Sequence, residues 1–280
     1  MDARMKKYLA ALLMLVGSAG HAQSPTPAKQ PLQLWRLDCG SIDVDLSNFS
    51  DTGLYVGQKR TLASSCYLIR NGNQYLLWDT GLEGALAGRP KDKDGGLLKE
   101  RLVAQLARVG IKPGDVKFVG ISHYHYDHTG QAADFPNATL LIGKKDFEVV
   151  KSREQLAPRF APWLTGGGKV EEVVRDKDVF GDGRVTMLGL PGHTPGHSAL
   201  LVRLASGPVL LSGDQYHFSE QVANRGVPSF NADRADTLAS HDRFDRIAKN
   251  LGARVVIQHE PHDILKVPAL PKTGPLPEGG

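Results

Sequence analysis

Cysteine is scarce in this chain. Its 280 residues include two cysteines, Cys39 and Cys66, and neither belongs to a Cys-x-x-Cys pair. A structural zinc site built from cysteine thiolates is therefore excluded. The two thiols are enough for one disulfide, but the sequence leaves open whether they pair.

Long apolar runs are also missing. The run Tyr8–Val16 is too short to cross a bilayer, and it lies between a basic start, "MDARMKK", and the small-residue stretch Ser18–Ala22. This order is typical of a secretory signal, so we predict a signal peptide over residues 1–22. An uncleaved N-terminal anchor is the alternative. The prediction places the mature protein in the periplasm or outside the cell, where disulfides persist.

Neither sign of charge dominates. The formal net charge is +4, and loss of residues 1–22 removes three basic groups and one acidic group, which lowers it to +2. So weak a balance gives no electrostatic attraction for a nucleic acid or for an anionic membrane. We therefore expect neither as a partner of the mature chain.

The two ends of the mature chain are rich in proline and polar residues. We predict a flexible leader over residues 23–33 and a flexible tail over residues 268–280. Between them the sequence has no comparable linker and no repeat. Residues 34–267 are therefore predicted to form one domain.

Strand and helix patterns alternate through this domain. The Asn71-Gly72 turn between "SCYLIR" and "YLLWDTG" predicts a β-hairpin. Helical spacing of apolar residues predicts one helix within "LLKERLVAQLARVG", ending at Gly110, and a second over Ala235–Leu251, ending at Gly252. Each half combines strands with a helix, which favours an α/β fold of two sheets packed face to face with helices outside.

Histidine is concentrated in "GISHYHYDHTG", directly after the apolar run "VKFVGIS". In an extended chain His123 and His125 point the same way, because side chains alternate with period two. Asp127 and His128 follow in a loop or first helical turn and can face a neighbouring point. Imidazole and carboxylate are the usual ligands of Zn²⁺ and also suit Fe²⁺ and Mn²⁺. We therefore predict a metal site rather than a solvated loop.

Three further ligand-type residues follow predicted strands. His193 comes after "RVTMLGL", Asp214 ends "PVLLSGD", and His259 follows "RVVIQ". Loops that leave strand ends collect at one edge of a sheet, so we expect these side chains to converge on the histidine segment. His197, four residues after His193, is an alternative ligand.

Taken together, "SHYHYDHTG", "LPGHTPGH", "LLSGD" and "IQHE" resemble the ordered motifs of the metallo-β-lactamase superfamily. The resemblance implies a four-layer αββα sandwich with two divalent metal ions at one edge of its sheets. It assigns one ion to His123, His125 and His193, and the other to Asp127, His128 and His259, with Asp214 as the bridge. It leaves His197 as a neighbour that supports the site. Asp79, in "WDTG", is expected to orient the ligand loops through hydrogen bonds.

The aspartate at position 214 makes this motif resemble that of lactonases and related hydrolases more than that of metallo-β-lactamases proper. N-acyl-homoserine lactonases carry a tyrosine close behind this aspartate, usually three positions on. Here Tyr216 lies two positions on and His217 occupies the third. The resemblance thus implies a hydrolase that opens acylated lactones with two ions, Zn²⁺ first and Fe, Co or Mn as alternatives. Asp127 is expected to pass the proton and Tyr216 to hold the oxyanion, with a packed surface tyrosine as the alternative for Tyr216.

Other interpretations remain open. The enzyme alternative is a β-lactamase or another dinuclear zinc ester or thioester hydrolase. The redox alternative is a sulfur dioxygenase with a single iron ion. The binding-protein alternative is a metal carrier. The expected partner is a small acylated lactone, and a homodimer is left open. Two segments, Ser47–Leu62 and Phe160–Gly168, are candidates for the substrate entrance or for ordinary structural loops.

Overall fold

Residues 31–277 are described by a computed structural model of the chain. The predicted signal peptide and residues 23–30 of the predicted leader lie outside this range. Within the described range, no helix combines the length and the apolar character that a bilayer crossing requires.

A mixed seven-stranded sheet forms one half of the molecule. Its first strands pair antiparallel, whereas β3, β5, β6 and β7 run parallel, so the carboxyl ends of these four strands lie at one edge. In spatial order the strands are β4 (Gly96–Leu97), β1 (Leu32–Asp45), β2 (Lys59–Asn71), β3 (Gln74–Trp78), β5 (Val116–Ile121), β6 (Thr139–Gly143) and β7 (Val170–Val173).

A five-stranded sheet forms the other half. β10 pairs antiparallel with both β9 and β11, and β12 runs parallel to β11. Consequently β9, β11 and β12 all point the same way and end at the same edge. In spatial order the strands are β12 (Arg254–Val256), β11 (Gly207–Leu211), β10 (Ser198–Leu204), β9 (Val185–Gly189) and β8 (Lys177–Asp178).

The α-helices of the described residues are α1 (Leu102–Ala107), α2 (Tyr126–Thr129), α3 (Lys144–Ser152), α4 (Ala157–Leu164), α5 (Ser219–Asn224) and α6 (Arg234–Leu251). Of these, α1, α3 and α4 cover the outer face of the first sheet, and α6 covers that of the second. One apolar cluster joins the first sheet to α1, α3 and α4, a second fills the space between the sheets, and a third joins the second sheet to α6. Burial of a large apolar side chain contributes about 1.5–3 kcal/mol, so these clusters fix the predicted αββα order of layers.

The two predicted helices differ in how well they match. α6 extends over the predicted residues: the Asp233 side chain accepts a hydrogen bond from the Asp236 amide at its start, and Gly252 caps its end at a φ of 58°. α1 has only six residues, because Gly96 and Leu97 pair with β1 as a short strand instead of joining the helix. Strand pairing therefore overrides the helical spacing at this point.

The predicted flexible ends are wrong at both boundaries. β1 begins at Leu32, inside the predicted leader. Residues 268–277 of the predicted tail lie against β1: the Arg36 amide donates to the Pro268 carbonyl, and the Leu270 amide donates to the Arg36 carbonyl, each at 2.9 Å. Leu270 and Leu276 are buried in the core of the first sheet. These two leucines supply the apolar burial that the proline-rich composition of the tail conceals.

Cys39 and Cys66 form a disulfide between β1 and β2. The bond lies behind the chain that leaves β3, where the Leu82 amide donates to the Cys39 carbonyl at 3.2 Å. A Cβ added to Gly81 would come within 2.4 Å of the Cys39 Cβ, and Gly81 has a φ of 64°. Only glycine therefore fits between the disulfide and the loop that follows β3.

Candidate metal centre

The predicted ligands come from strands that end at the same edge of the two sheets. His123–His128 follow β5 in the first sheet. His193, Asp214 and His259 follow β9, β11 and β12 in the second sheet. Because the two sheets are stacked with these ends together, four loops meet over the layer between them. All seven predicted ligands lie in this one place, in two groups.

Three imidazoles and a carboxylate make the first group. The Nε2 atom of His193 lies 3.1 Å from Nε2 of His123 and 3.0 Å from Nδ1 of His125, and the latter two atoms are 3.0 Å apart. Asp214 Oδ2 lies 3.2 Å from His193 Nε2 and 3.5 Å from His123 Nε2. Four donor atoms that surround one point at such separations suit a metal ion bound at about 2.0–2.2 Å from each.

The second group contains Asp127, His128 and His259. The Nε2 atoms of the two histidines are 3.2 Å apart, and Asp127 Oδ2 lies 3.5 Å from each of them. These atoms again surround one point. α2 begins at Tyr126 and turns Asp127 and His128 away from the direction of His123 and His125. The structure thus places the two parts of the histidine segment around two separate points.

Asp214 lies between the groups, as predicted for a bridge. Its Oδ1 is 3.1 Å from His128 Nε2 and 3.0 Å from His259 Nε2, while Oδ2 faces the first group. The Oδ1 atom is buried and, within the described part of the chain, receives no hydrogen bond. A buried carboxylate oxygen without a donor is costly unless a cation approaches it. The residues present therefore fit two metal ions.

Hydrogen bonds fix which nitrogen three of the five ligand imidazoles offer. The Nδ1–H of His128 donates to the Asp79 carboxylate at 2.9 Å, and the Nδ1–H of His193 donates to Asn231 Oδ1 at 2.9 Å. The Nδ1–H of His259 donates to the Ala63 carbonyl at 2.6 Å. Each bond leaves the Nε2 lone pair directed at the cluster. Such outer partners orient a ligating imidazole and raise its basicity.

The two groups have opposite electrostatics. Burial and the neighbouring imidazoles hold the pKa of His123 and His125 well below the usual value. Burial alone would also lower the pKa of His128 and His259, but the carboxylates of Asp214 and Asp127 raise it in both. His123 and His125 are thus neutral nitrogen donors, whereas the second group attracts positive charge strongly.

Asp79 has the supporting role predicted for it. This fully buried residue directly follows β3 and lies in the left-handed region at a φ of 57°. Its Oδ1 accepts from the Ser122 amide at 2.7 Å, and its Oδ2 accepts from His128 Nδ1 and from Gln258 Nε2, each at 2.9 Å. Gln258, which the sequence analysis missed, precedes His259. One carboxylate therefore ties the histidine segment to the second sheet.

A second buried carboxylate, Asp146, was also missed. Its Oδ2 accepts from Thr194 Oγ1 at 2.7 Å and its Oδ1 from the Gly196 amide at 2.5 Å, so it holds the loop that carries His193. Burial raises the pKa of Asp146 to about 6. No motif marks it, since it follows β6 at the start of α3. Only its position at the shared edge reveals its function.

His197 supports the site and is not a ligand in this arrangement. Its Nδ1–H donates to the Leu190 carbonyl and its Nε2 accepts the Asp214 amide, each at 2.9 Å. Both ring nitrogens are occupied, so no lone pair remains for a metal ion. Burial holds its pKa at about 3. The choice of His193 over His197 agrees with this geometry.

The structure corrects the prediction for Tyr216. Its ring is buried in the cluster under α6, where it stacks on His241 at 4.3 Å, and its hydroxyl donates to Asp245 at 3.0 Å. The side chain therefore faces the helix and lies away from the ligands. The next residue, His217, faces them instead: its Nε2 lies 3.1 Å from Asp214 Oδ2. The sequence had shown His217 at the third position after Asp214.

A cavity of about 550 Å³ opens over both groups. The residues that line it divide into an apolar side, which includes Ile42, Leu62, Phe49 and Phe230, and a polar side formed by the cluster and nearby aspartates. Phe49 comes from the predicted entrance segment Ser47–Leu62. The second candidate segment, Phe160–Gly168, agrees with the structural alternative: it contains the end of α4, and Trp163 there is buried with its indole N–H donating to the Ala138 carbonyl at 2.9 Å.

Comparison with known proteins gives a consistent result. The family model of the Metallo-beta-lactamase superfamily matches residues 60–259. The N-acyl homoserine lactonase AttM of Azorhizobium caulinodans is 31% identical over 256 residues, covering 82% of this chain and 94% of that protein. An N-acyl homoserine lactonase of a Bacillus species is 30% identical over 244 residues, covering 81% and 93%.

A solved structure shares the fold. The crystal structure of a quorum-quenching N-acyl homoserine lactone lactonase superposes with a TM-score of 0.74 at 24% identity. The superposition covers 88% of this chain and 99% of that one. At this level of identity the likeness establishes the arrangement of the layers.

Proposed function

Because the chain belongs to the metallo-beta-lactamase superfamily, we propose that it is a metal-dependent hydrolase that opens the lactone ring of N-acyl-homoserine lactones. The observation that carries the proposal is the complete ligand set, with one Asp214 oxygen on each group. The two lactonase relatives align with this chain over more than nine-tenths of their own length, which supports the choice of substrate.

We propose two Zn²⁺ ions as the resident metals. The donors are imidazole nitrogens and carboxylate oxygens without thiolates, a set that Zn²⁺ accepts and that Fe²⁺, Co²⁺ or Mn²⁺ also accepts. When bound, such a pair lowers the pKa of water and polarises a carbonyl group. His123, His125, His193 and Asp214 would hold one ion, and Asp127, His128, His259 and Asp214 the other.

The remaining chemistry falls to side chains of this chain. Ester hydrolysis adds a hydroxyl to the lactone carbonyl, breaks the ring C–O bond and delivers a proton to the departing ring oxygen. Asp127 lines the cavity, and its carboxylate is the group that would pass the proton from water to that oxygen. The apolar side of the cavity, with Phe49 and Phe230, would take the acyl chain and exclude water.

A periplasmic or secreted location is part of the proposal. The signal-like start of the chain supports it, and so does the Cys39–Cys66 disulfide, because disulfides persist in oxidising compartments. Expression of the full-length protein in its host, followed by cell fractionation, tests the location. Recovery of full-length protein from the cytosol, with both thiols free, would contradict it.

A substrate panel tests the activity. Protein lacking residues 1–22 is loaded with Zn²⁺ and assayed on N-acyl-homoserine lactones, β-lactams, thioesters and phosphodiesters, with a chelated sample as the control. We expect ring opening of the lactones to exceed the other reactions and to disappear with chelation. Preferential β-lactam cleavage would favour the β-lactamase alternative, and chelator-resistant lactone opening would contradict a metal-dependent mechanism.

A further inference from the structure

His217 is a buried histidine at the cluster that the two ligand groups do not include. It is 3% exposed, and its ring lies between Phe49, at 4.8 Å, and the parallel ring of His259, at 5.6 Å. Its Nε2 lies 3.1 Å from Asp214 Oδ2. That distance matches the separations of His193 and His259 from Asp214, which are 3.2 and 3.0 Å.

The hydrogen bonds around Gln221 determine which ring nitrogen of His217 is protonated. Gln221 Oε1 accepts the His217 amide at 2.7 Å, and Gln221 Nε2 donates to the Phe49 carbonyl at 2.9 Å. These two backbone groups allow only one orientation of the side-chain amide. Oε1 therefore also faces His217 Nδ1, at 3.2 Å, so Nδ1 carries the proton and donates. In the neutral ring, Nε2 is left with a lone pair.

A lone pair and a carboxylate oxygen thus face each other 3.1 Å apart. Two acceptors at this distance need a cation between them, either a proton or a metal ion. The same acceptor-to-acceptor contact joins Asp214 to His193 and to His259, and each of these has its Nδ1 held by an outer partner, as His217 does. Two atoms that bind the same Zn²⁺ ion at about 2.0–2.2 Å lie roughly 3.0–3.5 Å apart. The 3.1 Å between His217 Nε2 and Asp214 Oδ2 falls in this range.

Two other buried histidines do not share these properties. His197 uses both ring nitrogens in hydrogen bonds to the backbone. His241 faces the Gln215 carbonyl with Nε2 at 2.8 Å and stacks on Tyr216 beneath α6. Only His217 among these three combines an outer partner on Nδ1, a free lone pair on Nε2 and contact with the bridging carboxylate.

We propose that His217 is an additional metal ligand, whose Nε2 binds the ion of the His123, His125 and His193 group on the side facing the cavity. The inference rests on the dinuclear site of the proposed function. It gives that ion five protein donors, whereas the ion of the Asp127, His128 and His259 group has four. The two ions would therefore differ in how readily they accept water or substrate.

Metal affinity is the first test. Zn²⁺ binding to the full mature protein is measured by competition with a chromophoric chelator in the wild type and in His217→Phe, which keeps an aromatic ring beside Phe49. His241→Phe serves as the matched control, since it replaces a buried histidine outside the cluster. Loss of a ligand should weaken binding of one ion by at least about tenfold in His217→Phe. Equal affinities in the wild type and His217→Phe would overturn the proposal.

A second measurement needs no variant to fold. The wild type is labelled with ¹⁵N-histidine and loaded with ¹¹³Cd²⁺, and the Nε2 resonance of His217 is examined by NMR. We expect a metal-bound nitrogen coupled to cadmium. A protonated Nε2 without that coupling would show an imidazolium paired with Asp214, and it would overturn the proposal.

The two proposals fail separately. A protein that binds two ions with His217 among the ligands, yet opens no lactone in the substrate panel, would contradict the proposed function alone. A lactonase whose His217 Nε2 carries a proton would contradict the additional ligand alone.

Discussion

The two sheets supply metal ligands in different ways. The first sheet gives four of them from one continuous segment, His123–His128, which follows β5 and is held by Asp79. The second sheet gives one each from three loops, and each has its own support: Asn231 for His193, His197 for Asp214, and the Ala63 carbonyl for His259. A change to the first sheet's support should therefore affect the whole segment, whereas a change to the second sheet's supports should affect single ligands.

Asp214 is the exception to this division, because it belongs to the second sheet and faces both groups. We expect Asp214→Asn to reduce lactone opening by about a thousandfold and to lower the affinity for both ions, since an amide replaces one of two anionic oxygens with a donor. Titration with Zn²⁺ and steady-state kinetics measure the two effects. Two tightly bound ions and wild-type turnover in this variant would contradict the bridging role.

Asp79→Asn tests whether one support holds the whole histidine segment. The amide oxygen can still accept the Ser122 amide, but the amide nitrogen would face two donors, His128 Nδ1 and Gln258 Nε2. Loss of such an outer partner costs about 10–100-fold in metal affinity, and we expect a loss of that size for both ions, because the segment that Asp79 holds carries ligands of each group. Competition with a chelator measures it, and an unchanged affinity would show that the segment is held by its backbone alone.

The continuous segment was also the part of the site that sequence predicts best. Alternation along an extended chain places His123 and His125 on one side, and the first turn of α2 separates Asp127 and His128 from them. The three scattered ligands were predictable only because strand ends meet at one edge. The supports Asp146, Gln258 and Asn231 have no motif, because a hydrogen bond between distant loops leaves no periodic pattern in sequence.

Tyr216 and His217 show a different limit. Which of two neighbours faces the cluster depends on the turn after β11, where Gly213 has a φ of 55° and lies so close to His197 that a Cβ would come within 2.6 Å of its Nε2. Because neighbouring side chains of an extended chain point in opposite directions, a shift of one residue in this turn would exchange the two side chains. Sequence spacing does not determine such a turn.

The predicted flexibility of residues 268–277 was wrong for a similar reason. Burial of Leu270 and Leu276 in the core orders a segment whose proline-rich composition predicts flexibility.

Asp146 connects the two sheets, since it follows β6 of the first sheet and holds the loop that carries His193 of the second sheet. Its folded pKa of about 6 exceeds the ordinary carboxyl value of 3.8 because the carboxyl is buried. The folded state therefore holds this proton more tightly, and the associated stability is full below about pH 4 and is lost as pH rises through 6. Chelated wild type should lose about 2 kcal/mol over this range relative to Asp146→Asn. Urea unfolding of both proteins at several pH values measures the difference in the free energy of unfolding. The histidines are the same in both proteins, so their contributions to this difference cancel. Parallel pH profiles would contradict a buried, titrating carboxyl.

Asn231→Ala is the second sheet's counterpart to Asp79→Asn. It removes the acceptor on Nδ1 of His193 and leaves the other ligands with their supports. We expect about a tenfold weaker affinity for the ion of the first group only, at the lower end of the range for outer partners. The same chelator competition, read for each ion separately, measures it. Equal weakening of both ions would contradict the idea that the second sheet's ligands are supported one by one.

Tyr216→Phe should have the smallest effect and separates this residue from its neighbour. The variant loses the hydroxyl that donates to the partly buried carboxylate of Asp245, at a cost of about 1 kcal/mol in the free energy of unfolding. The ring stays stacked on His241, so lactone turnover and metal affinity should remain within about twofold of the wild type. Urea unfolding and kinetics on the same preparation measure both. A large loss of turnover with unchanged stability would return Tyr216 to the site, because a side chain that only packs beneath α6 cannot affect the reaction without affecting the fold.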